Sequence, residues 1–203
     1  MVIIIFSLIV LLFSVVIHEV SHGAMADYLG DPTAKYAGRL SLNPIKHLDL
    51  FGSIILPISL LILTRGQGPI FGWAKPVPIN PYNFRDKKWG NSKVALAGPL
   101  SNLFTALFFG LSMRFFHLPI RFYDFFSIIV VLNLLLAIFN LIPIPPLDGS
   151  HLLFSLLPER TLRIQQFFFQ YGIFILILFI YLVFPLIYPL IFWIYQIIVG
   201  HPF

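Results

Sequence analysis

The stretch "FSVVIHEVSHGAMADYLG", residues 13–30, decides how the chain is read. His18, Glu19 and His22 interrupt an apolar run that begins at residue 2. Ionisable side chains within a membrane helix cost at least about 2.5–3.5 kcal/mol each on insertion scales. Three of them together need something that offsets the cost, and a bound cation does so.

Working outward, the surroundings are those of a membrane protein. Of 203 residues, 59% are hydrophobic and 10% charged, and the mean hydropathy is +0.92. A soluble domain of this size needs a more charged surface. Apolar runs recur at about 2–17, 94–116, 125–142, 167–184 and 186–199. Crossing the hydrocarbon core takes about 20 apolar residues. Backbone groups in lipid must pair internally, so these runs are helices. The period-two alternation of an outer-membrane barrel is missing. The expected fold is therefore an all-α polytopic membrane protein with about five transmembrane helices. A re-entrant or short helical segment and a small β-hairpin or loop region complete it. The first run lacks a basic n-region and a small-residue cleavage site, so it reads as a retained helix.

The net charge of +5 follows from topology. Nine basic residues lie between 30 and 93, and Arg160 and Arg163 between 143 and 166; only Arg114 and Arg121 fall near 114–124. The positive-inside rule puts the first two regions in the cytoplasm and the third outside. No nucleic-acid partner is needed to explain the charge.

Helix 1 is expected over about 2–29, ended by Gly30 and Pro32. Residues 31–50 contain "AGRLSLNP", which suits a short strand or hairpin. The run "FGSIILPISLLILT", 51–64, holds Pro57 and is too short to span comfortably. Its flanks are both basic, which fits a re-entrant or interfacial segment. "GPIFGWAKPVPINPYNF" precludes a helix and suggests an extended loop or small hairpin. Helix 2 is expected over about 91–116 and helix 3 over about 124–142. "NLIPIPPLDGSH", 140–151, then breaks the helix. Two further helices, 167–184 and 186–199, join at Pro185 and Pro189.

In HEVSH the histidines stand at i and i+4, one turn apart on the same helix face. Two imidazoles so placed can hold one zinc ion, with Glu19 within reach of a metal-bound water as general base. The chain has no cysteine. A third ligand must then be a histidine or a carboxylate. Asp27, Asp31, Asp49, Asp86, Asp124 and Glu159 lie in or beside polar segments and read as solvated. Asp148 follows an apolar helix in a proline-braced loop on the same side as the end of helix 1. It is favoured over its rival His151. His117 reads as interfacial, and His47 and His201 as solvated. Asn102, in "AGPLSN", and Asn140 admit two readings: interhelical hydrogen bonding, or donors to a tetrahedral oxyanion or an extended substrate.

"HEVSH" in a membrane helix, "AGPLSN" opening a later one and "NLIPIPPLDG" ending the next resemble the site-2 proteases, peptidase family M50. The likeness covers about 18–151. "GRLSLNP" and "FGWAKPVPINP" resemble a compact prokaryotic branch lacking PDZ and CBS domains. The resemblance implies a three-helix catalytic core and one zinc per chain on His18, His22 and Asp148. Glu19 would activate water, with Asn102 and Asn140 near the site. It implies an intramembrane zinc metalloendopeptidase acting on transmembrane segments of membrane proteins. The expected setting is a prokaryotic inner or plasma membrane, with the site toward the cytoplasm. His151 stands where family members often carry arginine. The expected organisation is a single domain over 1–203, with a catalytic core over about 1–151 and C-terminal helices over about 165–199. Residues 51–82 are the expected partner strand for an unwound substrate. The rival reading is a non-proteolytic membrane zinc-binding protein or pseudoprotease. Transport would favour several ligand sites along a path, and the sequence offers one cluster.

Overall fold

The computed structural model describes residues 2–65, 72–116, 119–158 and 161–200. Eight α-helices occur among them: α1 Val2–Tyr28, α2 Thr33–Tyr36, α3 Leu56–Leu63, α4 Gly90–Phe115, α5 Ile120–Asn140, α6 Asp148–Leu156, α7 Leu162–Leu182 and α8 Phe184–Val199. Four of them, α1, α4, α5 and α7, are long and apolar enough to cross a membrane. The protein is an all-α polytopic membrane protein.

Helix α4 is the centre of the bundle, packing against α1, α5, α6 and α8. Its contact with α5 and α8 forms the main core, which includes Ala106, Val130, Leu134, Ile191 and Tyr195. A second, smaller core of Ala26, Leu29, Phe84 and Val94 ties the end of α1 to the start of α4. Outward-facing side chains are as apolar as the core. Phe104 is 70% exposed and Phe174 71%, a surface that suits lipid and not water.

The expected ends of the long helices hold within a few residues. Gly30 takes a left-handed φ of 106° two residues past α1. Three features differ from the sequence reading. No strand forms among the described residues: 31–50 carry α2 and a 3-10 turn at Pro44–His47, and 72–80 run extended without pairing into a sheet. The run at 51–64 is a π-helical turn, Leu50–Ile55, that continues into α3, with Pro57 tolerated in the first turn. Its 14 helical residues reach about 20 Å at 1.5 Å per residue, short of the roughly 30 Å hydrocarbon core. The last helix, α8, has 16 residues with Pro185 in its first turn and Pro189 inside, and it falls outside the four spanning candidates. His117, Glu159 and His201 lie outside the described residues.

Candidate metal centre

The i, i+4 spacing on α1 brings the two imidazoles together, with Nε2 of His18 3.0 Å from Nε2 of His22. Asp148, the first residue of α6, places Oδ2 3.1 Å from His18 Nε2 and 3.3 Å from His22 Nε2. These three side chains form the metal-type cluster found among the described residues. Both histidines are buried.

The hydrogen positions follow from the outer partners. His22 Nδ1 lies 2.7 Å from the Val94 carbonyl, and His18 Nδ1 lies 2.7 Å from Asn102 Oδ1. A carbonyl oxygen only accepts, so both Nδ1 atoms carry the hydrogen, and in the neutral rings that a metal requires both Nε2 atoms present lone pairs. Two lone pairs and a carboxylate oxygen then face one another with no proton between them. The close approaches are not hydrogen bonds, and Asp148 Oδ2 is a buried oxygen without a donor. A cation fits this arrangement. Ligand atoms about 2.0–2.1 Å from a tetrahedral zinc stand about 3.3–3.4 Å apart, close to the observed spacing.

Two glycines allow the close packing. A Cβ on Gly98 of α4 would stand 2.6 Å from His18 Cε1 and would also strike the His22 ring. A Cβ on Gly149 would stand 2.5 Å from the Ile142 carbonyl oxygen. The backbone carrying Asp148 therefore approaches the turn at 141–142 only because residue 149 is glycine.

Glu19 lies beside the cluster in a cavity of about 970 Å³ that His18, His22, Asp148, Asn140 and His151 also line. Its Oε2 accepts from the Val77 backbone N–H at 2.9 Å. The cavity continues along α1 past Val15 to Leu12 and Leu8, so one end is polar and the other apolar.

A 42% identical protein of Bacillus subtilis, provisionally named zinc metalloprotease YwhC, aligns over 159 residues, 74% of this chain and 68% of the relative. The chain belongs to peptidase family M50, the site-2 protease family. The model of Peptidase family M50 matches residues 117–183, a stretch that contains Asp148. Mycolicibacterium smegmatis Rip2, also provisionally named a zinc metalloprotease, is 32% identical over 82% of this chain and 62% of its own length. Zinc metalloprotease MJ0392 of Methanocaldococcus jannaschii is 33% identical over 41% of this chain and 25% of its own length. No solved structure matches.

The remaining expected site residues of this M50 protein are distributed as follows. Asn102 is fully buried, with Nδ2 donating to Asn133 Oδ1 at 2.9 Å and to the Ser14 carbonyl at 3.3 Å. Asn140 donates one N–H to the Leu136 carbonyl at 3.0 Å and lines the cavity. His151, one turn beyond Asp148, lines the cavity but stays outside the three-residue cluster.

Two residues read as solvated are buried. His47 is 1% exposed, and its Nε2–H donates to the Ser41 carbonyl at 2.8 Å. Asp31 is fully buried and accepts from Thr33, from the Asn80 backbone N–H and from Asn83 Nδ2. Burial pushes the Asp31 carboxyl up, and those hydrogen bonds outweigh it, leaving it below its ordinary range. Both errors have one cause. The segment 72–84 folds back over the polar ends of α1 and the 310 turn. Arg39 donates to the Lys75 carbonyl at 2.6 Å, and Lys75 N–H to the His47 carbonyl at 2.9 Å.

Asn133 was missing from the sequence reading. A lone amide inside the apolar run "VVLNLLLAIF" was its signal. Such a residue in a membrane helix either bonds to a neighbouring helix or marks a site.

Proposed function

We propose that this protein is an intramembrane zinc metalloendopeptidase of the site-2 type, hydrolysing peptide bonds within or near transmembrane segments of membrane proteins. The observation that carries this reading is the convergence of two Nε2 lone pairs and an undonated carboxylate oxygen next to Glu19, in a cavity whose far wall is apolar. His18, His22 and Asp148 would hold one zinc ion. When bound, zinc polarises the scissile carbonyl and lowers the pKa of its water toward about 7.

The chain's own groups do the rest. Glu19 takes the proton of the attacking water and delivers it to the leaving amine. Its Oε2 keeps the Val77 N–H, and its other oxygen takes the proton. Asn140 is positioned on the cavity wall to hold the substrate backbone. The apolar wall from Leu8 to Val15 suits an unwinding transmembrane segment. Pairing of substrate with 72–80 falls to Ala74 and Ile79, which line the cavity, because the N–H groups of Trp73, Lys75 and Val77 and the carbonyls of Trp73, Lys75 and Pro76 are engaged and Pro76 and Pro78 have no N–H. By the distribution of basic residues, the site faces the cytoplasm, and the bacterial and archaeal relatives support a prokaryotic membrane. The single-domain organisation over 1–203 and the membrane-protein substrates belong to the same proposal.

The test is cleavage of a model transmembrane substrate in detergent by wild type and Glu19→Gln, with zinc measured in both. Cleavage by wild type alone, at equal zinc content, supports the reading. Equal zinc with no cleavage by wild type over a broad substrate panel moves the protein to the pseudoprotease or zinc-binding class.

A further inference from the structure

The two histidines are oriented by different means. His22 faces a backbone carbonyl, which belongs to α4 and cannot rotate. His18 faces a side-chain amide, Asn102, which can turn by 180° about its terminal bond and present N–H in place of oxygen. A turned amide would meet the lone pair of Nδ1, and the hydrogen of His18 would move to Nε2, where it blocks metal binding. Something must hold Asn102 in the productive orientation.

We propose that Asn133 of α5 is a positioning residue for His18, acting through Asn102; this rests on His18 being a metal ligand. The chain of constraint starts at a fixed point. Asn133 Nδ2 lies 2.9 Å from the Ile129 carbonyl of its own helix. That oxygen only accepts, so the amide of Asn133 has one orientation. Its second N–H donates to Ser14 Oγ at 2.9 Å. Its Oδ1 therefore points at Asn102 and accepts from Nδ2 at 2.9 Å. The Ser14 carbonyl takes the other Asn102 N–H at 3.3 Å, a longer bond of the same sense. Asn102 Oδ1 is left facing His18, and His18 Nδ1 must supply the hydrogen at 2.7 Å.

Each step has one donor and one acceptor, and Asn102 and Asn133 are both fully buried. Water is not at hand to substitute for a lost partner. Both N–H groups of Asn102 are engaged, which argues for orientation of His18 over donation to an oxyanion. Residues in three helices, α1, α4 and α5, thus set one imidazole tautomer. Groups of this kind behind a metal ligand are worth about 10–100-fold in affinity.

The experiment is a double-mutant cycle on the full chain in detergent, with zinc affinity read by chelator competition. Asn133→Leu keeps the branched shape and removes the amide. It is expected to weaken zinc binding by about tenfold. In an Asn102→Asp background both carboxylate oxygens accept, so there is no orientation left to fix, and Asn133 Oδ1 meets an acceptor where it met a donor. Asn133→Leu is expected to cost less than about twofold there, well below its effect on wild type. Equal losses in both backgrounds, or none in either, overturn the proposal.

His18→Ala is run beside them. If it leaves zinc affinity unchanged, the ligand reading itself fails. If it abolishes binding while Asn133→Leu does nothing, only the positioning role fails. Should Asn133→Leu not fold, zinc-loaded wild type and Asn133→Ala are compared with 15N-histidine labelling. A hydrogen-bonded His18 Nδ1–H in wild type that is weakened or lost in the variant supports the proposal, and the same Nδ1–H signal in both overturns it.

Discussion

The metal-type cluster and the segment 72–84 line one cavity and are held in unlike ways. His18, His22 and Asp148 are carried by α1 and α6, and their outer partners come from α4. The segment 72–84 is extended apart from one 3-10 turn, and single side chains clasp it: Glu19 at Val77, Arg39 at Lys75 and Pro76, Asp31 at Asn80 and Asn83. The helices fix distances to a few tenths of an ångström because many packed contacts must move together. Apart from Phe84 in the smaller core, the clasped segment is held by a handful of hydrogen bonds, each worth about 0.5–1.5 kcal/mol net, or about 1.5–3 where a charged group takes part. The difference assigns metal binding to the helices and substrate handling to the segment. Variants of each region should then fail differently.

The largest effect belongs to Glu19→Gln, where the cluster meets the segment. Loss of a general base removes about 10²–10⁴ in rate, and zinc content is expected to stay at the wild-type value. Zinc lost along with activity would make Glu19 part of the ligand set. Next comes Gly98→Ala on α4. Its new Cβ would overlap both imidazoles, and a loss of about 10–100-fold in zinc affinity by chelator competition is expected. Retained affinity would mean that the helix frame is softer than argued.

Arg39→Ala probes the other side. It removes the 2.6 Å bond to the Lys75 carbonyl and the longer one to Pro76 and is expected to raise KM by roughly tenfold, about the worth of the shorter, charged bond, with zinc affinity unchanged. A parallel fall in zinc affinity would erase the distinction between the regions. The smallest effect on activity is expected from Asp31→Asn. It weakens the acceptor for Thr33, Asn80 and Asn83 and should cost about 1–3 kcal/mol of stability in a detergent melt. The sign with pH is set by the lowered Asp31 carboxyl. Its contribution is complete above about 3.9 and is lost as pH falls through the lower folded value. The wild-type melt should therefore lose stability in that acid range, and Asp31→Asn should flatten the loss. Parallel acid profiles for the two proteins would remove Asp31 as the anchor.

The same division explains what the sequence disclosed. His18 and His22 were legible because helical spacing is local, and the ends of α1 because Gly30 and Pro32 are local signals. Asp148 was legible by elimination in a chain with eight acidic residues, although the nine-residue helix that it opens was not foreseen. His47 and Asp31 were misjudged because the segment that covers them, from Lys75 to Asn83, is distant along the chain. Polarity of flanking sequence is no guide to such tertiary cover. The hairpin expected at 31–50 gave way to a short helix and a 3-10 turn. There Asn43 accepts from the Ile45 N–H, a local side-chain bond that competes with strand pairing. Asn133 was visible as a composition anomaly, but its role depends on which helices adjoin α5.

The central claim is that His18, His22 and Asp148 together hold one zinc. X-ray absorption at the zinc edge on purified wild type tests it most directly. The account predicts about one zinc per chain bound by two imidazoles and oxygen ligands, at about 2.0–2.1 Å, with one oxygen ligand lost in Asp148→Ala. A third imidazole, supplied by His151 in place of Asp148, or a spectrum unchanged in that variant, would contradict it.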